Sequence, residues 1–236
     1  DIDDQKKALE QKDEFLSIAS HELKTPVTSL KGFTQILQMK FEKEGNVQAV
    51  DLLSKMDKQV NKLTSLIVNL LDVTKMENGQ LAFSEVDFDF NILIKEIAEE
   101  MQLTTESHKI VYNISDTIVV TGDRNRIGQV ITNLISNAIK YSPDANEILL
   151  STSIENQHIK LCVTDFGIGI PHEKKSNIFN RFYRVSGDKE NTFPGLGLGL
   201  FISAEIIKRH NGKIYLESTE GKGSTFCFTL PVNIDK

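Results

Sequence analysis

Leu16, Leu23, Leu30 and Leu37 recur at seven-residue intervals, and this spacing constrains the fold more than any other feature of the chain. A side chain that returns every seventh position stays on one flank of an α-helix, so the four leucines describe an apolar seam of the coiled-coil kind. Residues 5–41 are therefore predicted to form one helix. With Leu16 at heptad position a, His21 falls at f, on the face turned toward water. Pro26 has no amide to offer the carbonyl of Glu22 one turn back, and is expected to bend the helix beside the histidine. By position alone, a single helix histidine is an ordinary solvated residue.

A breaker follows at EKEGN, residues 42–46. Leu53, Met56, Val60, Leu63, Ile67, Leu70 and Thr74 then keep 3-4-3-4 spacing up to Asn78-Gly79. The first third thus reads as a hairpin of two helices. Such a pair buries only one stripe per helix, so its remaining apolar surface is expected to meet a second hairpin in a homodimeric four-helix bundle. The competing arrangement packs the hairpin onto its own downstream domain.

Charge and cysteines narrow the function classes. The 27 basic and 33 acidic residues give a net charge of −6, and no Lys/Arg block suggests a nucleic-acid surface. No run approaches the roughly 20 apolar residues needed to span a bilayer, and DIDDQKKALEQKDE is too polar for a signal peptide. A soluble protein, or the cytoplasmic part of a larger one, is expected. Cys162 and Cys227 each lie in an alternating apolar run, which favours reduced core thiols over a disulfide or metal site, and hence the cytosol.

After Gly79 the pattern is mixed. Strands are predicted at 81–86, 109–114, 117–121, 147–154, 158–165, 213–218 and 225–230, with helices at about 89–104, 123–141 and 196–211 and a short one near 172–179. The fold class is α+β: a hairpin domain, 1–79, followed by an α/β sandwich of one mixed sheet covered by helices, 80–236.

Three features of the second domain carry chemistry. In GDRNRIGQVITNLISNAIKYSP, Asp123 is a plausible N-cap, and Ile127, Val130, Ile131, Leu134, Ile135 and Ala138 share one side. Asn133, Asn137, Lys140 and Tyr141 share another. Carboxamide oxygens suit magnesium and a lysine suits phosphate, so that face either holds a metal-nucleotide or is a solvated surface. In DFGIGIP, residues 165–171, Asp165 ends a strand before two glycines. It suits recognition of an adenine amino group, or a common strand-end turn. GLGLGL, residues 195–200, leads into a helix whose first amides would attract phosphate. It lacks the Lys-Ser/Thr of a P-loop and the spacing of a dinucleotide fingerprint. The polar span between the two glycine motifs could form a mobile lid.

HELKTP, NLISNAIKYSP, DFGIGIP, IFNRFYR and GLGLGL, in this order, resemble the H, N, G1, F and G2 boxes of the sensor histidine kinases of two-component signalling. The resemblance covers essentially the whole chain. It implies a dimerisation and histidine-phosphotransfer hairpin followed by a Bergerat-type ATP-binding domain of the kind shared with DNA gyrase, Hsp90 and MutL. Those relatives have the nucleotide boxes but no H box. Leu196 departs from the pattern, standing where many kinases have threonine or serine.

The resemblance also implies roles. His21 becomes the phosphoacceptor, with Glu22 as general base and Thr25 orienting a water in dephosphorylation of a partner aspartate. Arg184 reaches the γ-phosphate of ATP. Asn137, assisted by Asn133, holds Mg2+, Lys140 contacts phosphate, and Tyr141 lies against the nucleoside. Asp165 holds adenine, with Gly167 and Gly169 making room, while Gly195, Gly197 and Gly199 bring backbone amides to phosphate. The implied partners are a second copy of the chain and a response-regulator receiver domain. DIDDQKKALEQKDEFL resembles the end of a PAS sensor plus a signalling helix, with Asp3 in place of the usual threonine, so a sensor domain is expected upstream. A phosphatase-dominant or inactive scaffold, and a conformational ATPase, are the competing functions.

Overall fold

The computed structural model describes residues 2–77, 79, 81–114, 118–185 and 196–232, with side chains from residue 22 onward, Glu77 excepted. The chain divides into two compact units, Asp1–Leu81 and Ala82–Lys236.

The first unit is the helical hairpin, α1 (Ile2–Lys43) and α2 (Val47–Glu77). Helix α1 continues through Pro26. The reversal is made by Gly45 at φ 67°, a conformation glycine adopts without a Cβ penalty. Asn46 then caps α2 through its side-chain oxygen, which accepts the Ala49 amide at 3.1 Å. Val27 and Thr34 of α1 and Leu53 of α2 are buried. The leucine seam lies beside this stripe and stays open within one chain: Leu23, Leu30 and Leu37 are 50%, 52% and 43% exposed.

The second unit contains β1 (Val86–Asp89), α3 (Phe90–Gln102), β2 (Lys109–Asn113), β3 (Val119–Gly122), α4 (Arg124–Tyr141), β4 (Glu147–Glu155) and β5 (His158–Asp165). A 3-10 turn at His172–Asn177, α5 (Gly199–Arg209), β6 (Lys213–Thr219) and β7 (Gly223–Pro231) complete it. The expected single sheet is two among the described residues: a β1-β3 pair, and a five-stranded sheet of order β2-β4-β5-β7-β6. Only β2 and β4 pair in parallel; the other neighbours in the larger sheet are antiparallel. Alternate residues of β5, Ile159, Leu161 and Val163, are buried together with Phe226, Phe228 and Leu230. Phe90 of α3 meets Phe228 edge-on, with centroids 6.1 Å apart. The six apolar residues expected on the inner side of α4 are its buried residues, and the Ile, Val and Leu side chains among them contribute about 1.5–3 kcal/mol apiece when fully buried.

Two further expectations are corrected. The strand predicted at 81–86 lies instead at Val86–Asp89. Its forerunner is held by side chains rather than by a ladder: the Ser84 amide donates to the Asp123 carboxylate at 3.0 Å, and Phe83 packs between His210 and Arg209. The cysteines are paired, not reduced. Cys162 and Cys227 face each other in the β5–β7 register and form a disulfide, with Cα atoms 4.1 Å apart. Each strand read alone shows a buried thiol. Only the pairing of strands 65 residues apart brings the sulfurs together, and with it falls the inference of a reducing compartment from these residues.

Candidate nucleotide site and phosphoacceptor helix

The face expected to hold the nucleotide is built on α4. Asp123 is its N-cap as expected, with Oδ1 accepting the Arg126 amide at 3.0 Å. Asn133, Asn137, Lys140 and Tyr141 are all half-buried. The Asn133 amide donates to Ser203 Oγ of α5 at 2.9 Å, and the missing side chain of Gly199 is what admits Asn133: a Cβ there would sit 2.4 Å from Oδ1. Helix α5 begins without a side-chain cap, and its first internal bond runs from the Ile202 amide to the Leu198 carbonyl at 2.9 Å. The amides before Ile202 thus stand at the positive end of the helix beside Asn133. Lys140 Nζ donates to Tyr141 Oη at 3.0 Å.

The DFGIGIP loop docks on the other end of α4. Asp165 is 4% exposed and its carboxylate accepts the Gly167 amide at 2.9 Å. Burial pushes this carboxyl above its ordinary range, against the pull of the Gly167 and Ser224 amides. The Ile168 amide donates to the Tyr141 carbonyl at 3.1 Å. Gly167 and Gly169 first make room for the chain itself, since a Cβ at Gly167 would lie 2.0 Å from the Tyr141 oxygen, and one at Gly169 2.1 Å from the Thr219 oxygen. Gly169 also holds φ 64°.

The F box meets the second glycine motif through backbone. Gly197, at φ 70°, would place a Cβ 2.6 Å from the Tyr183 carbonyl oxygen, and the Arg181 guanidinium lies 5.5 Å from the Phe201 ring of α5. Arg184 is exposed. Gly195 and part of the expected lid, residues 186–194, lie outside the described residues.

On α1, Glu22 and Thr25 are exposed, while the side chain of His21 lies outside the described residues. The hydroxyls of Thr28 and Ser29 turn back onto the carbonyls of Lys24 and Thr25, at 2.8 and 3.2 Å.

Comparison with known proteins decides the family. Residues 11–79 match the His Kinase A (phospho-acceptor) domain, and residues 122–234 match the histidine kinase-, DNA gyrase B-, and HSP90-like ATPase. The catalytic domain of the histidine kinase ThkA is 31% identical with a TM-score of 0.53, covering 63% of this chain and 95% of that one. This chain belongs to the sensor histidine kinases. Sensor protein kinase WalK of Staphylococcus haemolyticus (strain JCSC1435) is 33% identical over 238 residues, which are 99% of this chain and 39% of that protein. Full-length ShkA in complex with AMPPNP shares the fold at a TM-score of 0.75 and 23% identity, over 93% of this chain and 46% of that one.

For this histidine kinase the sequence motifs locate the α4, G1, F and G2 segments, and the second unit gathers them around α4 and α5. Ser203, Ser142 and the Ser224 amide are the parts that sequence reading missed. Ser142 lies inside NLISNAIKYSP, whereas Ser203 and Ser224 lie in no motif; each is made relevant by a contact from a distant segment.

Proposed function

We propose that the chain is the cytoplasmic catalytic core of a sensor histidine kinase that phosphorylates itself on His21 and passes the phosphoryl group to an aspartate of a response-regulator receiver domain. The observation that carries this reading is the coexistence, in one chain, of a phosphoacceptor hairpin and an ATPase unit whose α4 and α5 present Asn133 against an uncapped helix start.

Adenine is held by the Asp165 carboxylate, which accepts from the exocyclic amine, with Tyr141 against the nucleoside. The phosphates lie toward Lys140, the amides opening α5 at Gly199, the Gly195 and Gly197 backbone, and Arg184. The donor set fits magnesium: two hard carboxamide oxygens one helical turn apart, at Asn133 and Asn137, with room left for phosphate and water ligands. When bound there, the ion neutralises charge on the β- and γ-phosphates. A ring nitrogen of His21 forms a bond to the γ-phosphorus as the bond to the β–γ bridging oxygen breaks, ADP leaves, and Glu22 takes the ring proton. Thr25, four residues on, orients the water of an opposing activity that hydrolyses the regulator's aspartyl phosphate to aspartate and inorganic phosphate.

The exposed seam of Leu23, Leu30 and Leu37 supports pairing of two hairpins in a four-helix bundle. Cytoplasmic placement rests on the supply of ATP and receiver domains, and a sensor domain of PAS type preceding residue 1 would set the activity. Incubation with γ-labelled ATP and Mg2+ tests the proposal. Wild type and His108→Gln should carry alkali-stable, acid-labile label, and His21→Gln none. Full labelling of His21→Gln, or steady phosphate release with no labelled protein, would overturn it.

A further inference from the structure

His108 has no place in the chemistry above, yet it is 4% exposed and hydrogen-bonded at both ring nitrogens. It lies on the connection from α3 to β2. Its Nε2 is 2.8 Å from the carbonyl oxygen of Ser142 and 3.1 Å from Ser142 Oγ; its Nδ1 is 2.9 Å from Ser107 Oγ and 3.4 Å from Thr105 Oγ1. A carbonyl only accepts, so Nε2 carries the proton and Nδ1 accepts from a hydroxyl. The Ser142 hydroxyl is already committed, donating to the Ala138 carbonyl at 2.6 Å. Gln102 fixes the connection, its amide donating to the carbonyls of Thr105 and His108 and its oxygen accepting the Ile110 amide.

The group that His108 grips stands next to the nucleotide site. Ser142 is fully buried and leaves helical geometry at φ −126°, ψ 51°. One residue earlier, the Tyr141 carbonyl takes the Ile168 amide, and Gly167 is pressed so close that a Cβ would lie 2.7 Å from Ser142 Cα. We infer that His108 is a positioning residue for the adenine site: through the Ser142 carbonyl it fixes the end of α4, and so sets Tyr141 against the loop carrying Asp165. This rests on the reading that Tyr141 and Asp165 receive the adenine nucleoside.

The test titrates the full chain with ATP and with GTP, in Mg2+, for wild type, His108→Leu and His108→Gln. Leucine fills the space but leaves the Ser142 carbonyl only the Ala145 amide, 3.0 Å away on its own turn, as a donor and removes the tie to the α3–β2 connection, whereas glutamine keeps an N–H that can reach it. His108→Leu is expected to weaken ATP binding about tenfold and to narrow the preference for ATP over GTP, with His108→Gln within about threefold of wild type. His21 labelling at saturating ATP should change less than about twofold, because the γ-phosphate end is untouched. A purely structural role would lower the fraction of protein that binds and leave Kd and base preference alone. Equal ATP affinity in His108→Leu and wild type, or an equal loss for ATP and GTP, overturns the inference. If His108→Leu does not fold, T105V/S107A decides: it removes both hydroxyls facing Nδ1, and ATP binding should weaken about threefold. Unchanged binding in it overturns the inference. Wild type that binds neither nucleotide overturns this inference and the proposed function together; a binding wild type with unaffected variants overturns this one alone.

Discussion

Nε2 of His210 accepts the main-chain amide of Asp123 at 2.9 Å, while its Nδ1–H donates to the Ile206 carbonyl at 2.8 Å. One neutral imidazole thereby ties the cap of α4 to the last turn of α5. The same Asp123 carboxylate caps α4 and takes the Ser84 amide from the segment that enters the ATPase unit. Gly122 has to be glycine here, since a Cβ would lie 2.7 Å from His210 Cδ2. His210→Phe leaves a buried amide without an acceptor and should cost about 1–3 kcal/mol. Urea unfolding of the full chain, followed by a probe in the ATPase unit, is the check. An unchanged midpoint would show that the bond contributes nothing.

With Asp165 as the proposed adenine acceptor, nucleotide affinity should depend on acid. Its carboxyl is held above the ordinary value of 3.8 by burial, so protonation begins at a higher pH than for an exposed aspartate. A raised folded value means that the group favours the folded state most below 3.8 and loses that contribution as pH rises through the raised value. ATP binding runs the other way: the charged acceptor is lost as pH falls, so Kd should rise before the ordinary carboxylate range is reached. Asp165→Asn should bind about tenfold or more weakly at neutral pH and lose this part of the pH dependence. Isothermal titration across the acid limb distinguishes the two proteins.

Gly167 and Gly199 should respond differently to alanine. The Cβ at Gly167 would strike backbone, 2.0 Å from the Tyr141 oxygen, whereas at Gly199 the obstacle is the end of the Asn133 side chain. Gly167→Ala should therefore destabilise the unit by about 2–4 kcal/mol and impair binding with it. Gly199→Ala should leave stability within about 1 kcal/mol, yet raise the Mg2+ concentration required for ATP binding, because Asn133 has to move. Thermal melts paired with Mg2+ titrations separate the cases, and equal melting losses would count against this account.

Reducing the Cys162–Cys227 bridge should lower stability by about 2–4 kcal/mol, as expected for opening a loop of 65 residues. The bond spans β5 and β7, and Asp165 ends β5 three residues beyond Cys162. Thiol titration of unreduced protein under denaturing conditions should find no free cysteine. Two free thiols, or a melting point unaffected by reductant, would contradict the pairing.

Local pattern made much of this molecule legible. The inner side of α4, from Ile127 to Ala138, follows from helical period alone, and the Asp123 cap from residue type and position. Helix α5 was less well placed, expected from residue 196 but starting at Gly199, because Gly197 takes a left-handed conformation the pattern does not encode. The disulfide, the grip of His108 on Ser142 and the anchoring of Ser84 by Asp123 were not legible, since each joins segments distant in sequence. The glycines of DFGIGIP show the same limit. Their presence signals close approach, but only the fold reveals that the approaching atoms include the carbonyls of Tyr141 and Thr219.

The central claim is that a triphosphate held on α4 and α5 gives its terminal phosphoryl group to His21. Mass-spectrometric mapping of the phosphate under alkaline conditions, after incubating wild type and Asn137→Asp with MgATP, tests it most directly. The account predicts a single modified histidine at position 21 in wild type and a loss of at least about tenfold in Asn137→Asp. Phosphate on another residue, or undiminished modification of His21 in Asn137→Asp, would contradict it.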